Sequence, residues 1–359
     1  MQWSIADVED KLLNGRVATI ALPDATILDA INRVEQELGS DWITARSSSH
    51  GLAPTMDIVG TGLRLACLGG VIKADELIGQ IRRNEPSADA ELTAIYLFRS
   101  YAPTASVELY PEVGTRRADF RVRRNSEVWT TVEVTQALTS KEEERIRVIL
   151  RQITDALREM DVQFVLEIQF CRVPSAAELE ILCPRLPEFC RLTGQQNARL
   201  LDGLGYLFRD ETDIGRLRFH EIPELADTPM TGLAMFQGGG PGGGPHHQVA
   251  VRIPFSDTRA ERFLKDESKQ LPKEGPGLVM IAGPSSRNEL RVWDQLIQRR
   301  FQPSMHTRVS GVCLFAGGMA PVGAQYDWTL RAHLIGNAHA TAALPAWMRA
   351  AVEHRKSDS

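Results

Sequence analysis

Two carboxylates on neighbouring predicted strands are the residues of this chain whose types and spacing best suit chemistry. Asp119 lies in a strand predicted at residues 116–122, and Glu133 lies in one predicted at residues 128–135. Side chains alternate between the two faces of a strand, so both carboxylates fall on one face of the hairpin, with Thr135 beside them. Two carboxylates and a nearby backbone carbonyl form a set of hard oxygen ligands, which suits Mg²⁺ or Mn²⁺ rather than zinc.

A third carboxylate, Glu91, lies early in the preceding predicted helix and is placed to join the pair. A divalent ion held by such a set polarises a phosphoryl oxygen and lowers the pKa of a water molecule that it binds. The alternative interpretation is that Asp119 and Glu133 are solvated hairpin residues paired with nearby arginines, because charged side chains are common on exposed strand faces. Periodicity alone leaves both interpretations open.

The elements that must position these residues follow one another in the order helix, three strands, helix, strand. The first helix opens near Asp89. Ser140 and Glu143 have the spacing of a capping box, which predicts the start of a long helix at Lys141. The strands are predicted at residues 107–113, 116–122, 128–135 and 162–170, and the long helix at residues 141–160.

On these residues the sequence resembles the PD-(D/E)XK nuclease superfamily, whose members share the restriction-endonuclease-like fold. In that family an Asp at the start of one strand and a Glu-X-Lys at the end of the next bind the metal, often with a Glu from the first helix. The matching positions are Asp119 in Arg-Arg-Ala-Asp-Phe, Glu133 in Val-Glu-Val-Thr, and Glu91. The order of the predicted elements agrees with the α-β-β-β-α-β core of the family.

One position departs from that pattern, because Thr135 stands where the family has its lysine. A threonine hydroxyl carries no positive charge with which to orient or deprotonate water. Some members of the superfamily carry the lysine on the following helix, and Lys141 at the predicted helix start is the corresponding candidate. The resemblance therefore implies Glu91, Asp119, Glu133 and Lys141 as catalytic residues, and the three carboxylates as ligands of Mg²⁺ or Mn²⁺.

An arginine-rich group brackets Asp119 and is the candidate contact for nucleic acid. Its members are Arg116, Arg117, Arg121, Arg123 and Arg124, and the first three are the predicted nucleic-acid-binding residues. Such a group could neutralise phosphates. The alternative is a charged hairpin edge that discourages aggregation of the sheet. The formal net charge of −5 excludes the overall basic footprint of a nonspecific DNA-binding protein, so nucleic acid must be bound by a local patch.

Composition places the chain among ordinary globular proteins. Its 359 residues are 43% hydrophobic and 24% charged, enough for a sizeable core and two domains. The five cysteines include no Cys-X-X-Cys pair, which favours reduced, mostly buried thiols. The N-terminus lacks the basic start and apolar run of a signal peptide, and the apolar stretch 56–71 contains charged residues. We therefore expect a cytoplasmic protein without a membrane span.

The expected fold class is α/β, with a restriction-endonuclease-like α-β-β-β-α-β core, an N-terminal cap and a C-terminal α/β module. The segment 263–271 in the C-terminal part also resembles helices that follow the core in nuclease-like proteins. The expected parts are a mixed α/β cap at residues 1–85, the core and its extension at 86–235, a Gly/Pro-rich flexible loop or linker at 236–247, the C-terminal module at 248–350 and a frayed tail at 351–359.

The function predicted from these residues is metal-dependent hydrolysis of phosphodiester bonds in nucleic acid, with DNA favoured over RNA. The alternative is a chain that keeps the nuclease-like fold without cleavage and acts as a nucleic-acid-binding or scaffold module. No membrane partner is expected, and association into a homo-oligomer is left open.

Overall fold

The structure, a computed structural model, divides the chain into two compact units. Unit 1 comprises residues 1–137 and 258–359, and unit 2 comprises residues 138–257. The structure describes residues 3–13, 15–113, 116–138, 140–158, 160, 162–200, 203–210, 220–226, 228, 230–237, 247–255, 259–283 and 287–355. Unit 1 is therefore built from two separate segments of the chain, and unit 2 is an insertion between them.

The described part of unit 1 combines helices with one large sheet. Its helices are α1 Ile5–Val8, α2 Asp24–Leu38, α3 Ser40–Arg46, α4 Leu52–Leu65, α5 Ala74–Arg82 and α6 Ala88–Tyr101, then α10 Arg259–Glu267, α11 Arg287–Arg300 and α12 Ala346–His354. Its strands are β1 Ser106–Leu109, β2 Glu112–Val113, β3 Arg116–Arg117, β4 Phe120–Arg123 and β5 Thr130–Gln136, then β11 Gly277–Ala282, β12 Gly311–Val322 and β13 Gln325–Gly336. Short helical turns occupy Glu9–Leu13, Val17–Thr19 and Ala66–Leu68.

The main sheet of unit 1 has six strands in the order β1-β4-β5-β11-β12-β13. The hairpin partners β4 and β5 are antiparallel, whereas β5, β11 and β12 run parallel to one another. The short strands β2 and β3 form a separate ribbon just before β4. The hairpin that carries both predicted carboxylates thus lies beside a parallel layer.

The two faces of this sheet are covered to different extents. One face packs under the N-terminal helices and α12, where Val132 and Val134 of β5 join the largest hydrophobic cluster. The opposite face packs under α10 and α11 through residues such as Val279 and Ile281 of β11. In the part of the chain that the structure describes, this second cluster includes no residue of β1 or β4. One face of β1 and β4 is therefore not covered by α10 and α11.

Close contact between α2 and α4 depends on a glycine. A Cβ atom built at Gly62 would lie 2.1 Å from the carbonyl oxygen of Ala30. The absence of a side chain at this position lets the two helix backbones approach each other, and α4 in turn packs on β12 and β13. Gly62 thus sets the spacing of the helical layer over the sheet.

Unit 2 has a five-stranded sheet in the order β7-β8-β6-β10-β9. Its described strands are β6 Phe164–Phe170, β7 Gln196–Arg199, β8 Gly205–Asp210, β9 Met230–Gln237 and β10 His247–Pro254, and its helices are α7 Lys141–Leu157, α8 Ala176–Leu182 and α9 Leu186–Cys190, with short turns at Cys183–Arg185 and Pro223–Leu225. Ser140 caps α7 in a capping box with Glu143, as the sequence predicts. One face of the sheet packs against α7, α8 and α9 in a hydrophobic cluster of its own.

The strand at residues 164–170 was predicted to follow the hairpin in one core, and this prediction is wrong. It is β6 of the unit 2 sheet, and the parallel neighbour of β5 is β11 instead. The helix that precedes β11 is α10, so α10 takes the place predicted for α7. The core of unit 1 therefore has the order α6, β1, β4, β5, α10, β11, interrupted by the insertion.

The predicted domain boundaries differ from this division. The expected cap at 1–85 belongs to unit 1, and its mixed α/β character is wrong, because its described residues form helices with only the isolated bridges at Ile20 and Ile72. The linker predicted at 236–247 lies largely outside the described residues, and its ends belong to the paired strands β9 and β10. The tail predicted at 351–359 is helical to His354.

No helix among the described residues is long and apolar enough to span a membrane.

Candidate active site

Asp119 lies where the β4–β5 ladder ends. The last backbone pair of the ladder on this side joins Phe120 to Val132. Beyond it, the amide N–H of Val134 donates to Oδ2 of Asp119 at 2.6 Å. A side-chain carboxylate thus replaces the backbone carbonyl that would continue the ladder, and the two strands part at the aspartate. This bond fixes the carboxylate against β5.

Glu133 projects from β5 on the face opposite Val132 and Val134, and is only 1% exposed. Its carboxyl group is hydrogen-bonded to the carboxyl group of Asp119, with Glu133 as the donor. Burial raises the pKa of both groups, and the charge of Asp119 raises the pKa of Glu133 further. Since a second negative charge beside the first is unfavourable in a buried place, the pair resists double ionisation.

Glu91 reaches the same site from α6 and is 3% exposed. Burial, followed by the charge of Asp119, raises the pKa of Glu91 to about 7. The Tyr110 hydroxyl lies 2.8 Å from Oε2 of Glu91 and 2.9 Å from Oε1 of Gln80. The Tyr110 hydroxyl donates to Glu91, and this bond partly offsets the rise in the pKa of Glu91 because it stabilises the ionised carboxylate.

Tyr110 links Glu91 to the hairpin. Its backbone is left-handed, with φ of 52°, a rare conformation for an aromatic residue. The conformation is held by its N–H, which donates to the Asp119 carbonyl at 2.8 Å, and by its carbonyl, which accepts from Nζ of Lys73 at 2.8 Å. Sequence reasoning missed Tyr110, because its role depends on a turn between strands rather than on strand alternation.

A fourth carboxylate, Glu267 at the end of α10, was also missed. The Thr135 hydroxyl donates to Glu267, and the Gln270 amide donates to it at 2.7 Å. Burial raises the pKa of Glu267, and the charge of Asp119 adds to the effect. The sequence alone assigned no chemistry to the segment 263–271 that contains it. Thr135 thus contacts a carboxylate.

The charge of Asp119 raises the pKa of Glu91, Glu133 and Glu267, and these four carboxyl groups have little compensating positive charge. Among the described residues, no lysine or arginine forms an ion pair with Glu91, Asp119, Glu133 or Glu267, and Oε1 of Glu133 is buried without a hydrogen-bond partner. In this same part of the chain, no group of three acidic, histidine or cysteine side chains already has metal-binding spacing.

The predicted arginines surround this site and are largely engaged. Arg116 donates to the carbonyl of Lys269, just after α10. Arg117 forms an ion pair with Glu76, and its guanidinium lies 4.4 Å from the centre of the Tyr110 ring. Arg121 donates to Glu108 at 2.7 Å. These residues form a basic rim around a buried acidic group, and two of them already have acidic partners.

Lys141 does not belong to unit 1, which contains Glu91, Asp119, Glu133 and Glu267. It is the exposed first residue of α7 and belongs to unit 2. Within unit 1, the helix between β5 and its parallel neighbour is α10, which contributes Glu267 to the site. The role predicted for Lys141 stays a prediction.

Comparison of the chain with protein-family models, curated proteins and solved structures finds no match. The functional interpretation therefore depends on the geometry and chemistry of the site itself.

Proposed function

We propose that the chain is a metal-dependent nuclease that hydrolyses phosphodiester bonds in nucleic acid. The observation that carries this proposal is the buried pair of Asp119 and Glu133 at the point where β4 and β5 part, with Glu91 and Glu267 near enough for the charge of Asp119 to raise the pKa of each. A buried group of acids is costly to fold, and side chains with strongly shifted pKa values concentrate at functional sites. The element order α6, β1, β4, β5, α10, β11 supports it, because it follows the restriction-endonuclease-like pattern with an insertion.

The donor set fits a hard divalent cation such as Mg²⁺ or Mn²⁺. Asp119 and Glu133 would hold it, with Glu91 and Glu267 close by. The buried, unpartnered Oε1 of Glu133 supports the fit, since a cation would satisfy an oxygen that the protein leaves without a bond. Bound there, the cation would polarise the phosphoryl group and activate a water molecule for attack on phosphorus.

The residues of the chain have distinct tasks in this reaction. Hydrolysis adds the hydroxyl of water to phosphorus and its proton to the departing sugar oxygen as the P–O bond breaks. Asp119 is held by the Val134 amide so that its charge faces the reacting group. Glu133 must release its proton before both carboxylates can act as ligands, so activity should rise with pH. The basic rim formed by Arg116, Arg117 and Arg121 would attract the phosphates.

Titration calorimetry with MgCl₂ or MnCl₂ tests the metal site without requiring activity. Because Glu133 carries the shared proton, binding near neutral pH should release about one proton per cation, a number obtained by repeating the titration in buffers of different ionisation enthalpy. Asp119→Asn and Glu133→Gln should abolish binding. Asp266→Asn removes an exposed carboxylate next to Glu267 and should leave binding unchanged. Equal binding by all four proteins would contradict the proposal.

Cleavage assays on plasmid DNA, single-stranded DNA and RNA test the reaction. The wild type should cleave with Mg²⁺ or Mn²⁺ and lose activity with EDTA. Asp119→Asn and Glu133→Gln should lower the rate by about 10²-fold or more, because transition-state charge loses its stabilisation. Asp266→Asn is again the matched control. Metal-independent cleavage, or variants as active as the wild type, would contradict the assignment.

A second candidate is a nuclease-like module that binds nucleic acid without cleaving it. The replacement of the family lysine by Thr135, whose hydroxyl is engaged with Glu267, favours this candidate. Binding of nucleic acid by a wild-type chain that cleaves none of the three substrates would select it.

A further inference from the structure

Arg123 and Trp129 lie on the face of the hairpin that also carries the acidic site. Alternation places Asp119, just before β4, on the same face as Arg121 and Arg123 of β4, and the register of the hairpin places Trp129, just before β5, and Glu133 on that face too. Arg123 is four residues from Asp119, which corresponds to about 13 Å along an extended strand. This part of the sheet lies outside the cluster beneath α10 and α11. The surface is therefore continuous with the site.

Trp129 organises the two arginines of this surface. The guanidinium groups of Arg121 and Arg123 lie 4.6 Å and 4.4 Å from the centre of its ring. Contacts of this kind orient a guanidinium and restrict its motion while leaving N–H donors available at its edge. The ring thus holds positive charge at a defined place on the sheet.

The two arginines differ in their partners. Arg121 is neutralised by Glu108, with its Nε donating to Oε2 at 2.7 Å. Arg123 forms no ion pair with any described residue, and its Nε is buried without a hydrogen-bond partner. The side chain of Arg123 is only half-buried, so an external anion can reach its guanidinium edge and neutralise a charge that the described residues leave unpaired. Arg123 is therefore the arginine of this face that is poised to bind an external anion.

We propose that Arg123, oriented by Trp129, binds a backbone phosphate of the substrate strand near the phosphate that is cleaved. This inference deepens the proposed function and rests on it. The occupant is a nucleic-acid strand, because its regularly spaced phosphates match a positive group placed along the strand from the acidic site. This contact with a phosphate fixes the position of the nucleic-acid strand along the surface and makes no sequence-specific contact with a base.

The test measures affinity and its salt dependence with fluorescently labelled single-stranded and duplex DNA. Binding is followed by anisotropy with Mg²⁺ present in the Glu133→Gln background, so that cleavage does not interfere. Arg123→Ala should weaken binding about tenfold. It should also reduce the slope of log affinity against log salt by about 0.7 for a single strand or 0.9 for a duplex. Arg123→Lys retains the charge and should keep the slope.

Arg124→Ala is the matched control, because Arg124 is an exposed arginine that directly follows β4. It should change affinity and slope much less than Arg123→Ala, and circular dichroism should show that each variant is folded.

If Arg123→Ala and Arg124→Ala bind alike while the wild type cleaves, the Arg123 subsite is wrong and the nuclease stands. Loss of slope on Arg123→Ala in a chain that never cleaves supports the subsite and overturns the nuclease. Absence of both binding and cleavage overturns both.

Discussion

At the scale of single residues, the candidate site combines burial with acidity. Glu91, Asp119 and Glu133 are each taken out of water, and each has a raised pKa in the absence of a cation. The chain thus accepts a local cost in stability that is typical of sites kept for binding or catalysis.

Replacement of Glu91 by glutamine should flatten the dependence of stability on pH. The folded-state pKa of Glu91 is about 7, above its ordinary value of 4.5. Its contribution to stability is therefore fully present below pH 4.5 and is lost as pH rises through 7, a loss of about 3 kcal/mol for a shift of this size. Glu91→Gln keeps a polar group beside Tyr110 but cannot ionise. Denaturant unfolding at pH 5 and pH 8.5 should show the variant losing less stability than the wild type.

Glu112→Gln, at an exposed carboxylate of β2, is the control for that comparison and should follow the wild-type curve. The variant and the wild type would lose stability in parallel if Glu91 were already ionised in the folded protein at pH 5.

Strand alternation was sufficient to bring Asp119 and Glu133 together, because a one-residue shift would have exposed Val132 and Val134. It could not identify Tyr110 or Glu267. Tyr110 is positioned by a left-handed backbone conformation, and Glu267 lies on α10, far from β5 in sequence. A local pattern carries no information about such partners.

At the scale of elements, the α2–α4 contact offers a clean test of packing. In Gly62→Ala the new Cβ would overlap the backbone oxygen of Ala30, which cannot move without shifting α2. The expected cost is about 3 kcal/mol, as for other overpacked sites. Gly79→Ala in α5 is the matched control, because its Cβ would meet only the flexible end of Arg83 at 3.4 Å. It should be neutral or stabilising by up to about 1 kcal/mol. Denaturant unfolding of both variants measures the difference.

The elements themselves were easier to predict than their pairing. The apolar runs at β6 and β11 both read as buried strands, and the strand nearer to β5 in sequence seemed the natural neighbour. Parallel pairing requires a crossover, and either α7 or α10 could have provided one. The choice of β11 depends on long-range packing under α10 and α11, which no short segment encodes.

At the scale of the whole molecule, unit 1 forms its hydrophobic clusters without residues of the insertion. Its two clusters draw on residues from Val8 to Val352, and in the described chain they include none from unit 2. Replacing residues 138–257 by a short Gly/Ser linker should therefore leave a folded protein with a cooperative unfolding transition. Circular dichroism and thermal denaturation measure this. A chain that gives only an unfolded or aggregated product would show that unit 1 needs the insertion.

The insertion also bears on the order in which the chain acquires its structure. The strands β5 and β11 can pair only after the ends of a very long loop have met, and the entropy of that encounter grows with the logarithm of loop length. If unit 2 collapses first, the effective loop shortens to the segments around it, and the entropic cost falls by about 2 kcal/mol. Early folding of unit 2 would then accelerate completion of the parallel layer, and with it the appearance of the acidic site.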